Sequence, residues 1–306
     1  MRSARNSIFL IVAILSAIGV VMIYSASAIY AEEKMGDSLY FLKRHLIYLV
    51  IGLGMMVLAM GVNMNTLKRL SKPMIVSAIL LLVLVLVPHI GRETAGARRW
   101  FKWGPFNFQP SEFAKIAVII YIADIMSRKE GSVKSFLYGY LPPIMVLGLV
   151  AGLILLEPDL GTAIAISIIT IIILFASGAR ITHIVASILA SLPALYVLMF
   201  SVPYRRKRIM AFLNPWADKR GISFQIIQSF VALGSGGLLG VGLGQSRQKL
   251  FYLPQGYTDF IFSIIGEELG LIGAFLVLGL FVLILIQGSR LSEQHRDPFR
   301  RLFAYS

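Results

Sequence analysis

The sequence predicts an all-α polytopic membrane protein, and three observations carry that prediction. The chain is 57% hydrophobic and only 14% charged, with a mean hydropathy of +0.79, whereas soluble domains carry about 25% charged residues. Its apolar runs recur at lengths near the roughly 17–25 residues that cross a bilayer. Its basic residues give a net charge of +14 and cluster in the connections between those runs. That is the pattern of membrane loops and phosphate-bearing headgroups, not of a nucleic-acid-binding face.

Taken in order, the apolar runs fall at 8–30, 46–62, 74–90, 110–126, 138–156, 160–178, 181–202 and 260–287, which predicts eight helices. The first is followed by further spans and by no A-x-A-like cleavage site, so it is a retained helix and not a signal peptide. With the N-terminus inside, 13 basic residues face the cytoplasm and 15 face out. Eight of the outer ones lie in the long segment 203–258, and long loops translocate regardless of charge. Setting that segment aside leaves 7 outside against 13 inside, which favours both termini in the cytoplasm. The expected layout is a membrane domain over 1–287, with a long outer loop at 203–258, and a basic cytoplasmic tail at 288–306.

Residues 222–244 are apolar enough to tempt a ninth span. They contain Gln225, Gln228 and six glycines between 234 and 244, and glycine costs about 1 kcal/mol per helical position relative to alanine. An interfacial or re-entrant segment is the better expectation. Earlier in the same loop, Tyr204-Arg205-Arg206-Lys207-Arg208 and Asn214-Pro215-Trp216 resemble an interface anchor, with a solvated charge run as the alternative.

The candidate chemistry lies in carboxylates. The chain has no cysteine, so disulfides, zinc–thiolate sites and thiol catalysis are excluded. It has no phosphate-binding G-x-x-x-x-G-K-[ST] loop, no dinucleotide fingerprint, no G-x-S-x-G elbow and no clustering of its four histidines. Asp259 opens the last apolar run, and an ionisable residue at the mouth of a membrane helix is costly unless it has a task. A helix N-cap is its plain alternative, although Ile261 and Phe262 leave a capping box incomplete. Glu112 and Lys115 stand three apart on one helical face, either as a self-compensating ion pair or as lining of a polar cavity. Asp159 is placed either to cap the following helix or to join a site that includes Arg44, Arg99 and Asp259. Glu267 and Glu268 lie roughly 12–13 Å beyond Asp259 along a helix axis and diverge by about 100°. One is expected to pair with a cation and the other to meet a polar cavity.

Four segments resemble the SEDS family of bacterial membrane proteins, which comprises FtsW, RodA and SpoVE. They are GARRWFKWGPFNFQPSEFAK (96–115), EPDLGTA (157–163), FLNPWADKRGISFQIIQSFVALGSGGLLGVGLGQSRQKLFYLP (212–254) and TDFIFSIIGEELGLIG (258–273). The wording of the third is closer to the FtsW/SpoVE branch than to RodA. The resemblance implies a peptidoglycan glycosyltransferase that polymerises lipid II at the outer face of the cytoplasmic membrane. It also implies a class B penicillin-binding protein and other divisome proteins as partners, a place at the division septum, and no nucleic acid.

Through TDFIF the family's essential aspartate aligns with Asp259, the expected catalytic residue. Through QPSEFAK and PDLGT its other site residues align with Glu112, Lys115 and Asp159, expected with Arg44 and Arg99 to bind substrate. No organic cofactor is implied, and a divalent cation, magnesium or manganese, is the alternative to arginine and lysine for stabilising the leaving diphosphate. A lipid II flippase and a non-catalytic divisome scaffold are the competing functions. The family normally has ten helices, so the expectation is either that the sequence is truncated or that the protein lacks two helices that help wall the central cavity.

Overall fold

A computed structural model describes residues 2–94, 97–103, 106–129, 131–219, 221 and 223–305. Gly96, Gly104 and Pro105 of the first matching segment and Arg220 and Ile222 of the third lie outside the described residues. Each of the eight apolar runs coincides with a helix: α1 (Arg2–Met35), α2 (Tyr40–Met60), α3 (Met64–Leu86), α4 (Pro110–Arg128), α5 (Leu141–Leu156), α6 (Leu160–Ala176), α7 (Ile181–Phe200) and α10 (Ile261–Glu293). Six helices in the described residues are long and apolar enough to cross a membrane. Among the eight, α6 has only 17 residues, and α4 carries Glu112, Lys115, Asp124 and Arg128 along its length. Three further helices, α8 (Pro203–Leu213), α9 (Phe224–Ser235) and α11 (Pro298–Tyr305), lie outside the predicted runs.

The chain divides into two compact units, residues 1–61 with 192–287 and residues 62–191 with 288–306. In the first unit Met22 and Ala26 of α1 pack with Leu253, Ile264, Ile265 and Val277. α9 spans only 12 residues, or about 18 Å at 1.5 Å per residue, against roughly 30 Å of hydrocarbon. The glycine-rich stretch that follows leaves the helix and bonds to a break in α10. At Gly270 the backbone turns non-helical, with φ 69° and ψ −169°. The amides of Val241 and Gly242 donate to the carbonyls of Glu267 and Glu268, and those of Leu271 and Ile272 donate to Gly237 and Leu238. Irregular backbone at membrane depth requires this kind of mutual satisfaction. Two glycines permit the approach. A Cβ on Gly270 would lie 2.3 Å from the Gly240 nitrogen, and one on Gly240 would lie 2.2 Å from the Glu268 carbonyl oxygen.

In the second unit Ile75, Ala78 and Leu82 of α3 pack with Ala114, Val118 and Ile122 of α4 and with Ile166 and Ile173 of α6. The connection before α4, expected as a plain loop, forms a three-stranded antiparallel sheet of β1 (Arg92–Thr94), β2 (Ala97–Trp103) and β3 (Phe106–Phe108). Arg92 pairs with Trp100, and Phe101 with Phe108.

Residues 288–306 do not trail away as the basic tail that the sequence suggested. In α11 the apolar residues Phe299, Leu302 and Phe303 recur at helical spacing, and the first two are buried in the core of this unit. Lys68 meets Asp297 at 3.3 Å and lies over the Phe299 ring, while the Ser292 hydroxyl donates to the Arg301 carbonyl. The arginines suggested solvent, but they share this short helix with an apolar face.

Candidate active site

Asp259 ends the loop that hands the chain to α10. It is not the helix N-cap, because α10 begins two residues later at Ile261. Its side chain is exposed, and no hydrogen bond or ion pair engages it among the described residues. It lines an open cavity of about 800 Å³ together with Tyr204, Arg208, Phe212, Gln225 and Gln255. An acid with no internal partner, beside glutamine amides and a guanidinium, can accept a proton from a hydroxyl placed in that space.

What holds this loop is the acid pair one helical stretch further on. Glu267 and Glu268 are both buried, at 2% and 1% exposure. Glu268 forms an ion pair with Lys249 at 2.8 Å, and the Ser25 hydroxyl lies 2.6 and 2.8 Å from its two oxygens. Glu267 accepts from the backbone amides of Arg247 at 3.0 Å and Gln248 at 3.4 Å, and from the Ser246 hydroxyl. It also lines a cavity of about 370 Å³ with Ser235, Gln245 and Arg247. One acid therefore pairs with a cation and the other faces a polar cavity, and together they pin residues 246–249 onto α10. Sequence spacing could not show the pairing of Lys249 with Glu268, since the chain turns back between them.

Arg44 belongs to the same unit but does not line the Asp259 cavity. Its guanidinium donates to the Tyr40 hydroxyl at 3.3 Å, one helical turn away on α2.

The remaining expected site residues belong to the second unit. The Arg99 Nε donates to the Glu157 carbonyl at 2.6 Å, and its Nη2 to the Pro158 carbonyl at 2.7 Å. Asp159 caps α6, accepting from the Thr162 amide at 3.1 Å and the Thr162 hydroxyl at 2.9 Å. Gln109, just before α4, donates to the same carboxylate at 3.4 Å. Glu112 and Lys115 form the ion pair that their spacing allows, at 2.8 Å. The two motifs QPSEFAK and EPDLGTA thus meet through Gln109 and Asp159, and Arg99 fastens the turn between α5 and α6.

Glu157 was not singled out in the sequence. Its side chain is fully buried, and neither carboxyl oxygen has a hydrogen-bond partner among the described residues. Burial first, and then the neighbouring charge of Asp159, push its carboxyl up to about 8 against the opposing pull of Arg99.

The described residues thus form a helical chain with several helices long and apolar enough to cross a membrane, and an exposed aspartate in an open cavity that also holds a guanidinium. The particular family follows from comparison with known proteins. A family model described as "Cell cycle protein", for FtsW, RodA and SpoVE, matches residues 5–306. A probable peptidoglycan glycosyltransferase FtsW of Geobacter sulfurreducens is 44% identical over 298 residues, 97% of this chain and 80% of the relative. Stage V sporulation protein E of Bacillus subtilis is 45% identical over 283 residues, 92% of this chain and 77% of the relative. Among solved structures, a chain of a peptidoglycan synthase complex matches with a TM-score of 0.76 at 30% identity, over 97% of this chain and 81% of that one. The rod-shape-determining protein RodA of Thermus thermophilus matches with a TM-score of 0.68 at 28% identity, over 97% and 78%. The chain belongs to the FtsW/RodA/SpoVE family.

Proposed function

We propose that this protein is a peptidoglycan glycosyltransferase that polymerises lipid II at the outer face of the cytoplasmic membrane. The observation that carries the reading is Asp259, an exposed acid without internal partners in a cavity large enough for sugar and diphosphate groups. Curated relatives with more than 40% identity bear the glycosyltransferase name, which supports the same reaction here. Asp259 takes the proton from the acceptor 4-hydroxyl as its oxygen attacks C1 of the donor sugar. The bond from C1 to the diphosphate oxygen breaks, and undecaprenyl diphosphate leaves with the electron pair. The reaction inverts the anomeric carbon and needs no nucleotide, because the driving energy is stored in the lipid diphosphate.

The likeness to a chain of a peptidoglycan synthase complex supports a class B penicillin-binding protein as partner. The FtsW and sporulation names of the relatives support a role at the division septum with other divisome proteins. Of the expected substrate-binding residues, Glu112, Lys115 and Asp159 keep that assignment, while Arg99 acts mainly by fixing the α5–α6 turn and Arg44 remains a cation of α2.

The divalent cation expected as an alternative charge partner does not fit the cavity well. Asp259 is the sole carboxylate among the described lining residues, and no group of three or more His, Cys, Asp or Glu side chains gathers among the described residues.

Purified protein in liposomes carrying lipid II separates the competing functions. Glycan polymer should form without added nucleotide, at a rate that depends on protein. Headgroup translocation without polymer would replace this reading with a flippase, and neither activity would leave a scaffold.

A further inference from the structure

The basic cluster on α8 is not uniform. Of Arg205, Arg206, Lys207 and Arg208, only Arg208 lines the cavity that holds Asp259. Tyr204 and Phe212 line it too, one helical turn before and after, so α8 presents an aromatic–cation–aromatic stripe to that space. The guanidinium carbon of Arg208 sits 4.5 Å from the centroid of the Tyr204 ring. A guanidinium held over an aromatic face by cation–π attraction keeps its N–H donors for other partners, and a planar guanidinium can grip phosphate oxygens in pairs. Arg208 makes no salt bridge with Asp259 or with another acid among the described residues. The cavity thus holds an acid and a cation that form no ion pair with each other among the described residues.

We infer that Arg208 binds the diphosphate of the lipid-linked donor, held in orientation by Tyr204, while Asp259 serves the attacking hydroxyl. The assignment rests on the glycosyl-transfer reading above and adds a binding residue to it. A lipid diphosphate and free pyrophosphate share the chemistry that Arg208 recognises, and the lipid is favoured because Phe212 and Phe260 give the same cavity apolar walls.

The test measures equilibrium binding of labelled undecaprenyl diphosphate to the purified full chain in detergent, with inorganic pyrophosphate as a second ligand. Charge-assisted hydrogen bonds of this kind set the expected loss in Arg208→Ala at roughly ten- to a hundredfold in Kd. Arg208→Lys, which keeps the charge but not the paired geometry, should fall between that variant and the parent. Arg206→Ala, about 200° round the helix from Arg208, should stay within about twofold. In polymerisation assays KM for lipid II should rise in the same order. Thermal unfolding of Arg208→Ala should match the parent, since the side chain is exposed.

Lipid binding within about twofold of the parent in Arg208→Ala overturns the assignment, and so does an equal loss in Arg206→Ala, which would mark a general electrostatic attraction. Arg208-dependent pyrophosphate binding beside Arg208-independent lipid binding also overturns it, as does a parent chain that binds neither ligand. Because binding is read without turnover, a parent that binds the lipid but makes no polymer sinks glycosyl transfer and leaves the Arg208 site standing.

Discussion

Two groups of acids lie within ten residues of each other and behave as opposites. Asp259 is exposed, unpartnered and set in an open cavity. Glu267 and Glu268 are buried and saturated with partners: a lysine, three serine hydroxyls and backbone amides. Both are ionisable groups at or inside a membrane helix, and both are costly to keep there. The pair offsets that cost by tying a loop to α10, and Asp259 has no hydrogen bond or ion pair among the described residues that could offset it. An acid whose partners are internal holds structure together, whereas an acid whose partners are missing is available to a substrate. Glu157 is a third case, fully buried yet without a hydrogen-bond partner among the described residues.

Breaking the pair is the strongest way to test its half of this contrast. Glu268→Gln should destabilise the protein by about 3–5 kcal/mol, because it strands Lys249 as an uncompensated buried charge. The joint replacement Glu268→Leu with Lys249→Met should cost less than either single change, since apolar isosteres of a buried pair are often tolerated. Thermal unfolding in detergent reads both. Additive losses would mean that the two residues do not act as a pair.

A smaller effect is expected at Glu157, and it depends on pH. The folded carboxyl titrates near 8, above its ordinary 4.5. Between those values the folded state holds a proton that the unfolded chain releases, so stability falls as pH rises through this window. Glu157→Gln should remove most of that slope and unfold at higher temperature than the parent at pH 8, a difference on the order of 1–3 kcal/mol. Near pH 4.5 the two proteins should be similar. A parent whose unfolding temperature is flat between pH 5 and 8 would show that the carboxyl has found a partner.

Much of this was legible in the residues alone, for physical reasons that can be named. Apolar runs of spanning length announce helices because lipid forces every backbone group to bond internally, and all eight runs became helices. The glutamines and glycines of 222–244 correctly argued against another span, and α9 is too short to be one. Asp259 stood out because charge at that depth is rare.

Contacts that depend on the chain folding back could not be read. Arg99 reaches carbonyls 58 and 59 residues away, and Lys249 meets Glu268 across a separation of 19 residues. Arg208 was hidden for another reason. Its neighbours made the whole cluster look like an interface anchor, although the four-residue spacing of Tyr204, Arg208 and Phe212 was present in the sequence. The sheet at 92–108 was missed because its strands are short and lie in a connection dense with charge. α11 was missed because its arginines drew more weight than Phe299 and Leu302.

Whether Asp259 is the base is read from lipid II polymerisation by Asp259→Asn and by the parent, on preparations with matched unfolding temperatures. The substitution keeps size and polarity, removes the proton acceptor and disturbs no internal contact. The rate should drop by at least about a hundredfold, the scale of a general base, with unfolding unchanged. Polymer formed by Asp259→Asn at the parental rate would contradict the account.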